Sequence, residues 1–116
     1  MKIKIDGHYV DIYGIYWVKS LNTNATNTYL CGLPLGNGGM TVFCIDHKNN
    51  KDNIEIIDPK INWSSIYYHN NNGQGIYHHS LIEENLLDDI LEYDEDAYKR
   101  FIEIIKSEGL VDPNFY

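Results

Sequence analysis

Histidine and tyrosine side chains are concentrated in one short stretch, residues 67–81, with the sequence YYHNNNGQGIYHHSL. Imidazole groups exchange protons near neutral pH and bind transition metals. Two adjacent histidines, His78 and His79, and the nearby His69 are the groups here whose types and spacing suit chemistry. Acid–base catalysis and metal binding are the two possibilities that they raise.

A β-hairpin is the element expected to position these histidines. Two short strands flank a segment of Asn and Gly, and we predict the hairpin loop at residues 70–75. His69 then pairs with Ile76, and Tyr67 pairs with His78. Because neighbouring side chains of a strand point to opposite faces, the two adjacent histidines are expected on opposite faces, where they cannot bind one ion.

Neither a metal site nor an active site finds support elsewhere in the sequence. His69 and His78 share a face in this register, but a tetrahedral zinc ion needs at least one further ligand. The His-x-x-x-His and Cys-x-x-Cys spacings that make such a site specific are absent. Phosphoryl chemistry also needs cationic groups, and the single arginine, Arg100, lies among acidic residues. We predict no catalytic residue, metal or cofactor, with a small His-dependent enzyme as the alternative.

The negative charge of the chain is confined to its last third. The formal net charge is −8, from 17 acidic and 9 basic side chains. Residues 1–80 contain as many lysines as acidic side chains, so residues 81–116 account for the whole excess. Such a field repels nucleic acid and anionic lipid, and it attracts a basic protein surface.

Two C-terminal helices are expected to position these acids, because the hydrophobic period changes from 2 to 3.6 residues after the hairpin. Ser80 and Glu83 fit a capping box, so we predict a first helix over residues 81–92 with Ser80 as its N-cap. Asp94 is expected to cap a second helix that ends before Gly109.

Eight acids fall between positions 83 and 96, and no basic residue lies among them. The next basic residue along the chain is Lys99. The helix dipole favours acids in the first turn of a helix. It does not explain Asp88, Asp89 and Glu92, which the prediction places at the C-terminal end of the first helix. We infer that this local repulsion is retained for a binding partner.

The first two thirds of the chain predict an antiparallel sheet. An Asp-Gly pair at residues 6–7 is a preferred turn for a first hairpin, and Gly14 marks a bulge. A later hairpin with its loop at residues 36–39 is expected to place Cys31 opposite Cys44, as two small buried side chains.

Together these patterns predict an α+β fold: an antiparallel sheet of about six or seven strands, followed by two helices packed on one face. The chain is expected to form a single domain over residues 1–116, with a β-rich part at 1–79 and an acidic helical pair at 80–109. No signal peptide or membrane span is recognisable, so we expect a cytoplasmic protein.

The function predicted from these features is inhibition of a basic partner protein, without direct binding to nucleic acid or membrane. An immunity protein that neutralises a bacterial nuclease-type toxin is the first hypothesis, and a phage anti-defence protein, such as an anti-CRISPR that mimics DNA, is the alternative. Exposed aromatic residues are expected to anchor the partner. The predicted partner-binding residues are Glu84, Asp88, Asp89, Glu92, Tyr93, Asp94, Glu95, Tyr67, Tyr68 and His69, with Tyr98 as a further candidate anchor.

Overall fold

The residues that the structure describes form a seven-stranded antiparallel sheet followed by helices, as the sequence predicts. The computed structural model describes residues 1–20, 22, 24–45, 54–70 and 73–116, and of Asn70 it describes the backbone alone. The strands are β1 (Lys2–Ile5), β2 (His8–Lys19), β3 (Thr26–Leu33), β4 (Thr41–Cys44), β5 (Ile54–Asp58), β6 (Ser65–Asn70) and β7 (Gly73–His78). The helices are α1 (His79–Glu83), α2 (Leu87–Leu91) and α3 (Glu95–Ser107). Within the described residues, no helix is long and apolar enough to span a membrane.

The long strand β2 organises the sheet. One of its edges pairs with β3, which in turn pairs with β4. Its other edge is shared: β1 pairs with the first part of β2 and β7 pairs with the second part. Strand β5 extends the sheet from β1, and β6 extends it from β7. The sheet therefore divides into two wings along one edge of β2.

The predicted bulge in β2 is present, because the register with β3 shifts between Ile12 and Gly14. The consecutive residues Ile12 and Tyr13 are both buried, each in a different apolar cluster, as strand alternation predicts. Gly14 is needed for close packing, since a Cβ atom there would lie 2.7 Å from the ring of Tyr77. The bulge shifts the alternation by one residue, so that Ile15 packs with the cluster of Ile12 and Tyr16 packs with the cluster of Tyr13.

Two apolar clusters cover the two faces of the sheet. One contains Ile3 and Ile5 of β1 and Val10 and Ile12 of β2, joined by Leu30 of β3. The other lies between the sheet and the helices, and the buried residues of α3 belong to it. Asp94 caps α3 as predicted, since its carboxylate accepts a hydrogen bond from the Ala97 N–H at 2.8 Å. Gly109, with a φ of 71°, follows the C-cap residue Glu108.

The predicted pairing of the two cysteines is wrong. Cys31 lies opposite Val42, and Cys44 lies opposite Tyr29, so the register is displaced by two residues. The cause lies outside the hairpin, because the Met40 N–H donates to the Ile90 carbonyl at 3.1 Å instead of joining the β3–β4 ladder. Neither Cys31 nor Cys44 forms a disulfide within the residues that the structure describes.

The predicted register of the β6–β7 hairpin is also displaced by two residues. His69 lies opposite Gln74, and Tyr67 lies opposite Ile76. The glycines belong to the strand, because a Cβ atom at Gly75 would lie 2.6 Å from the Ile15 carbonyl oxygen of β2. Part of the predicted loop, residues 71–72, lies outside the described residues.

The predicted helix over residues 81–92 is two short helices. The chain breaks at Asn85, which has a φ of 54°. Asparagine tolerates this left-handed conformation better than most residues. Ser80 is inside α1 and is not its N-cap; the cap is His78, whose ring accepts a hydrogen bond from the Ser80 N–H.

Candidate functional site

The two adjacent histidines lie side by side, so the prediction that they occupy opposite faces is wrong. Strand β7 ends at His78 and helix α1 begins at His79, and strand alternation therefore stops between them. Their rings stack with centroids 4.4 Å apart. Both rings hydrogen-bond to the carboxylate of Glu108, the residue after α3.

Glu108 uses one carboxylate oxygen for each histidine. Its Oε1 lies 2.5 Å from His78 Nε2, and its Oε2 lies 2.7 Å from His79 Nε2. The His78 side chain has no exposed surface, whereas that of His79 is about a quarter exposed. The ring of His78 packs edge-on against Phe101 and Tyr13, at centroid distances of 5.3 and 6.1 Å.

The hydrogen bonds define where the protons lie. His78 Nδ1 accepts from the Ser80 N–H at 3.2 Å, so it needs its lone pair, and the proton of the neutral ring is assigned to Nε2, which donates to Glu108. Burial lowers the pKa of His78, against the opposing effect of the Glu108 hydrogen bond. The hydrogen bond to Glu108 raises the pKa of His79. Burial works to raise the pKa of Glu108, but the hydrogen bonds from His79 and His78 outweigh it and lower that pKa.

Two histidines and one glutamate form a donor set that zinc sites use. The ligand atoms of His78, His79 and Glu108 all lie within 4.8 Å of one another. A metal ion on His78 Nε2 would require the proton on Nδ1, where the Ser80 N–H already donates. The geometry therefore fits a hydrogen-bonded link better than a metal centre. In this link the two imidazole rings join the β7–α1 junction to the Glu108 carboxylate at the end of α3.

Hydrolysis by this cluster is also disfavoured. Ser80 Oγ lies 2.9 Å from His78 Nδ1, which gives a Ser–His–Glu chain of hydrogen bonds. However, Ser80 is 1% exposed and His78 is fully buried, so a substrate cannot reach the hydroxyl. The predicted pair of His69 and His78 is not formed. His69 lies opposite Gln74, which is four positions, or roughly 13 Å, from His78 along β7.

The break at Asn85 changes the position of the acids. Asp88 and Asp89 lie in the first turn of α2, where exposed N–H groups favour carboxylates, and not at the C-terminal end of a long helix. Glu92 is the C-cap residue of α2. The helix dipole therefore favours Asp88 and Asp89, and the prediction that it opposes all three acids is wrong for these two.

Several of the predicted partner-binding acids have partners within the chain. Glu84 forms a two-pronged ion pair with Arg100, at 2.8 and 3.2 Å, and this hydrogen bonding lowers the pKa of Glu84. Glu95 pairs with Lys99 at 2.7 Å, and Asp94 is the cap of α3.

A smaller set of acids remains without such partners. The side chains of these residues are exposed, and they form neither an ion pair nor a hydrogen bond with any residue that the structure describes. They are Asp88, Asp89, Glu92 and Asp96.

The predicted aromatic anchors are exposed but do not form one surface. Tyr67, Tyr68 and Tyr93 have relative exposures of 57%, 45% and 50%. Tyr67 and the exposed His69 share one face of the hairpin, and Tyr68 lies on the other face, towards the helices. The hydroxyl of Tyr93 accepts a hydrogen bond from the side chain of Asn37 on the β3–β4 loop.

A buried hydroxyl excludes the further candidate Tyr98 as an anchor. The Tyr98 side chain is half-buried, packed against the apolar cluster under the helices, and its hydroxyl is enclosed. An anchor must instead present its ring to the partner.

A cleft of about 360 Å³ lies between the sheet and helices α1 and α2. It joins two parts of the predicted interface, since Tyr68 of β6 and Asp88 of α2 both line it. Sequence reasoning missed Tyr16, Tyr77 and Asn85, which also line the cleft, because only the pairing of β2 with β7 brings the tyrosines together.

Sequence reasoning also missed Glu108 as the partner of both histidines. The available signal was its position beside Gly109, at the end of α3, but nothing in the sequence places that end against β7.

No protein-family model matches the chain, and no curated protein or solved structure is significantly similar to it.

Proposed function

We propose that this protein is a stoichiometric inhibitor of a basic protein, bound through α2 and the adjoining cleft. The observation that supports the proposal is that Asp88, Asp89 and Glu92 are exposed and lack partners among the described residues, and Asp88 lines the same cleft as the exposed Tyr68. Charge complementarity would speed encounter, and the aromatic ring would supply contact energy in the bound state.

The concrete form that we propose is an immunity protein that neutralises a nuclease-type toxin. A nuclease presents cationic groups to the phosphates of its substrate, and a compact carboxylate patch can occupy them. Such a protein would act in the bacterial cytoplasm. A DNA-mimicking anti-defence protein is the second candidate, and it needs an extended anionic face. The internal pairing of Glu84 with Arg100 and of Glu95 with Lys99 favours the smaller patch.

Isosteric neutralisation of the α2 patch tests this proposal. The test variant is Asp88→Asn, Asp89→Asn and Glu92→Gln. The matched control is Asp6→Asn, Glu55→Gln and Asp58→Asn, three exposed acids on or beside the β1–β5 wing. Each variant removes three charges, so the net charge changes from −8 to −5 in both.

Immobilised protein is incubated with lysate of the native host, and captured proteins are identified by mass spectrometry. We expect the wild type and the control to retain one basic protein whose nucleic-acid cleavage they block, and we expect association to slow as salt is added. The α2 variant should lose both capture and inhibition. Equal capture by all three proteins would show that the patch is not the interface, and a captured protein without nuclease activity would exclude the toxin form.

A further inference from the structure

The cleft beside α2 has walls suited to one small, flat group. Tyr16 of β2 and Tyr77 of β7 lie side by side on its sheet wall, with ring centroids 6.4 Å apart and planes inclined by 24°. Tyr68 of the sheet and Asn85 and Asp88 of the helical segment also line it. At about 360 Å³ the cleft is near the lower end of the range for ligand sites, roughly 300–1,000 Å³. It has room for one long side chain, but not for a large cofactor.

The charge of the cleft comes from one residue. Among the described residues that line the cleft, Asp88 has the one charged side chain. Its carboxylate forms no ion pair or hydrogen bond with any described residue. Burial raises the pKa of Tyr16 to about 12 and also raises the pKa of Tyr77, so both hydroxyls stay neutral at physiological pH. The cleft is therefore anionic and lined by aromatic rings, which favours a cation over an anion or an apolar group.

We propose that the cleft binds a single cationic side chain, an arginine above all, which the basic partner inserts. The guanidinium group would pair with the Asp88 carboxylate and pack against the ring of Tyr68. Arginine is preferred over lysine because its planar group stacks on aromatic rings and pairs with a carboxylate through two hydrogen bonds. The identity of the partner rests on the proposed function, whereas the cation site rests on the cleft itself.

The only arginine of the chain does not compete for this site. Arg100 binds Glu84 and Glu103 and is not among the residues that line the cleft. Within the described residues, no lysine lines it either. Among the residues that the structure describes, none supplies a cation to Asp88.

The site can be tested with a small probe, without the partner. N-acetyl-arginine amide is titrated into the ¹⁵N-labelled full chain and followed by NMR. N-acetyl-citrulline amide, which has nearly the same shape and no charge, is the control ligand. We expect saturable shifts at the amides of Tyr68, Asn85 and Asp88 with the arginine probe, and at least about tenfold weaker binding of the citrulline probe.

Two variants with equal changes in charge identify the carboxylate. Asp88→Asn should weaken binding of the arginine probe by about tenfold. Asp89→Asn changes the next residue, which lies outside the cleft, and should leave the affinity for the probe unchanged. Well-dispersed spectra show whether each variant is folded. Non-saturable shifts, equal binding of the two probes, or equal effects of the two variants would each overturn the cation site.

This experiment and the capture experiment fail independently. If the probe does not bind but the partner is still captured through the α2 acids, the cation site is wrong and the inhibitor proposal stands. If the probe binds but the host yields no basic partner, the cation site stands and the inhibitor proposal is wrong.

Discussion

Removal of the Glu108 carboxylate should destabilise the protein through the buried histidine. In Glu108→Ala, the His78 Nε2–H stays buried and loses its acceptor, which costs about 1–3 kcal/mol. The lost hydrogen bond to the partly exposed His79 adds roughly 0.5 kcal/mol. We expect the free energy of unfolding in urea to fall by about 1.5–3.5 kcal/mol with an unchanged m-value. The melting temperature should fall by roughly 6–14 °C.

Two further variants separate the hydrogen bonds from a general loss of charge. Glu108→Gln keeps one acceptor oxygen for His78 and offers an amide to His79, so its loss of stability should be smaller than that of Glu108→Ala. Glu103→Ala removes an exposed acid of α3 that pairs with Arg100 at 3.1 Å, and it should change stability by less than about 0.5 kcal/mol.

The pH dependence of stability follows from the direction of each pKa. The pKa of His79 is raised, so its contribution is present below the ordinary histidine pKa and is lost as pH rises through the raised value. The pKa of His78 is lowered, so the unfolded chain takes up a proton first and stability falls as pH drops below the ordinary value. The pKa of Glu108 is lowered, so its contribution is lost as pH falls through that lowered value.

NMR titration of the ring protons separates the two histidines, whose effects on stability oppose each other. In Glu108→Gln the pKa of His79 should fall, because the carboxylate that raises it is gone. The reasoning is refuted if the pKa of His79 is unchanged, or if Glu108→Ala costs no more stability than Glu103→Ala.

Three other substitutions or probes test the fold. Asn85→Ala should cost about 1 kcal/mol in urea unfolding because its φ is 54°, whereas Asn85→Gly should cost less, since glycine adopts this conformation freely. Gly75→Ala should lower stability by about 1–3 kcal/mol in a thermal melt, because its Cβ atom would meet the rigid Ile15 carbonyl oxygen of β2. Cys31 should not react with a thiol reagent at pH 8 until the protein unfolds, because it is fully buried and burial raises its pKa to about 12.

The parts of the fold that the sequence predicts correctly are those with local causes. The Asp-Gly turn at residues 6–7 sets the β1–β2 register by its own backbone geometry. The cap of α3 at Asp94 and its end before Gly109 depend on residues within a few positions of each other. Each of these signals acts over a short segment, so a reading of the sequence alone detects it.

The parts that the sequence predicts wrongly have distant causes. The β3–β4 register depends on a hydrogen bond between Met40 and Ile90, fifty positions apart. The β6–β7 register depends on the glycines of β7, which let the strand approach β2 closely and so belong to the sheet and not to the loop. Turn composition alone cannot distinguish a glycine needed for a loop from one needed for close packing.

The break at Asn85 connects the wrong helix prediction with the proposed site. In one continuous helix, Asp88 would sit in the third turn, where its charge would oppose the dipole, and the cost would itself suggest a partner. The break removes that cost, because Asp88 lies in the first turn of a new helix, and the break residue and Asp88 both line the cleft together with Tyr68. The inference of a partner therefore depends on the position of Asp88, an exposed carboxylate without a partner at the border of an aromatic cleft. It does not depend on electrostatic strain within the helix.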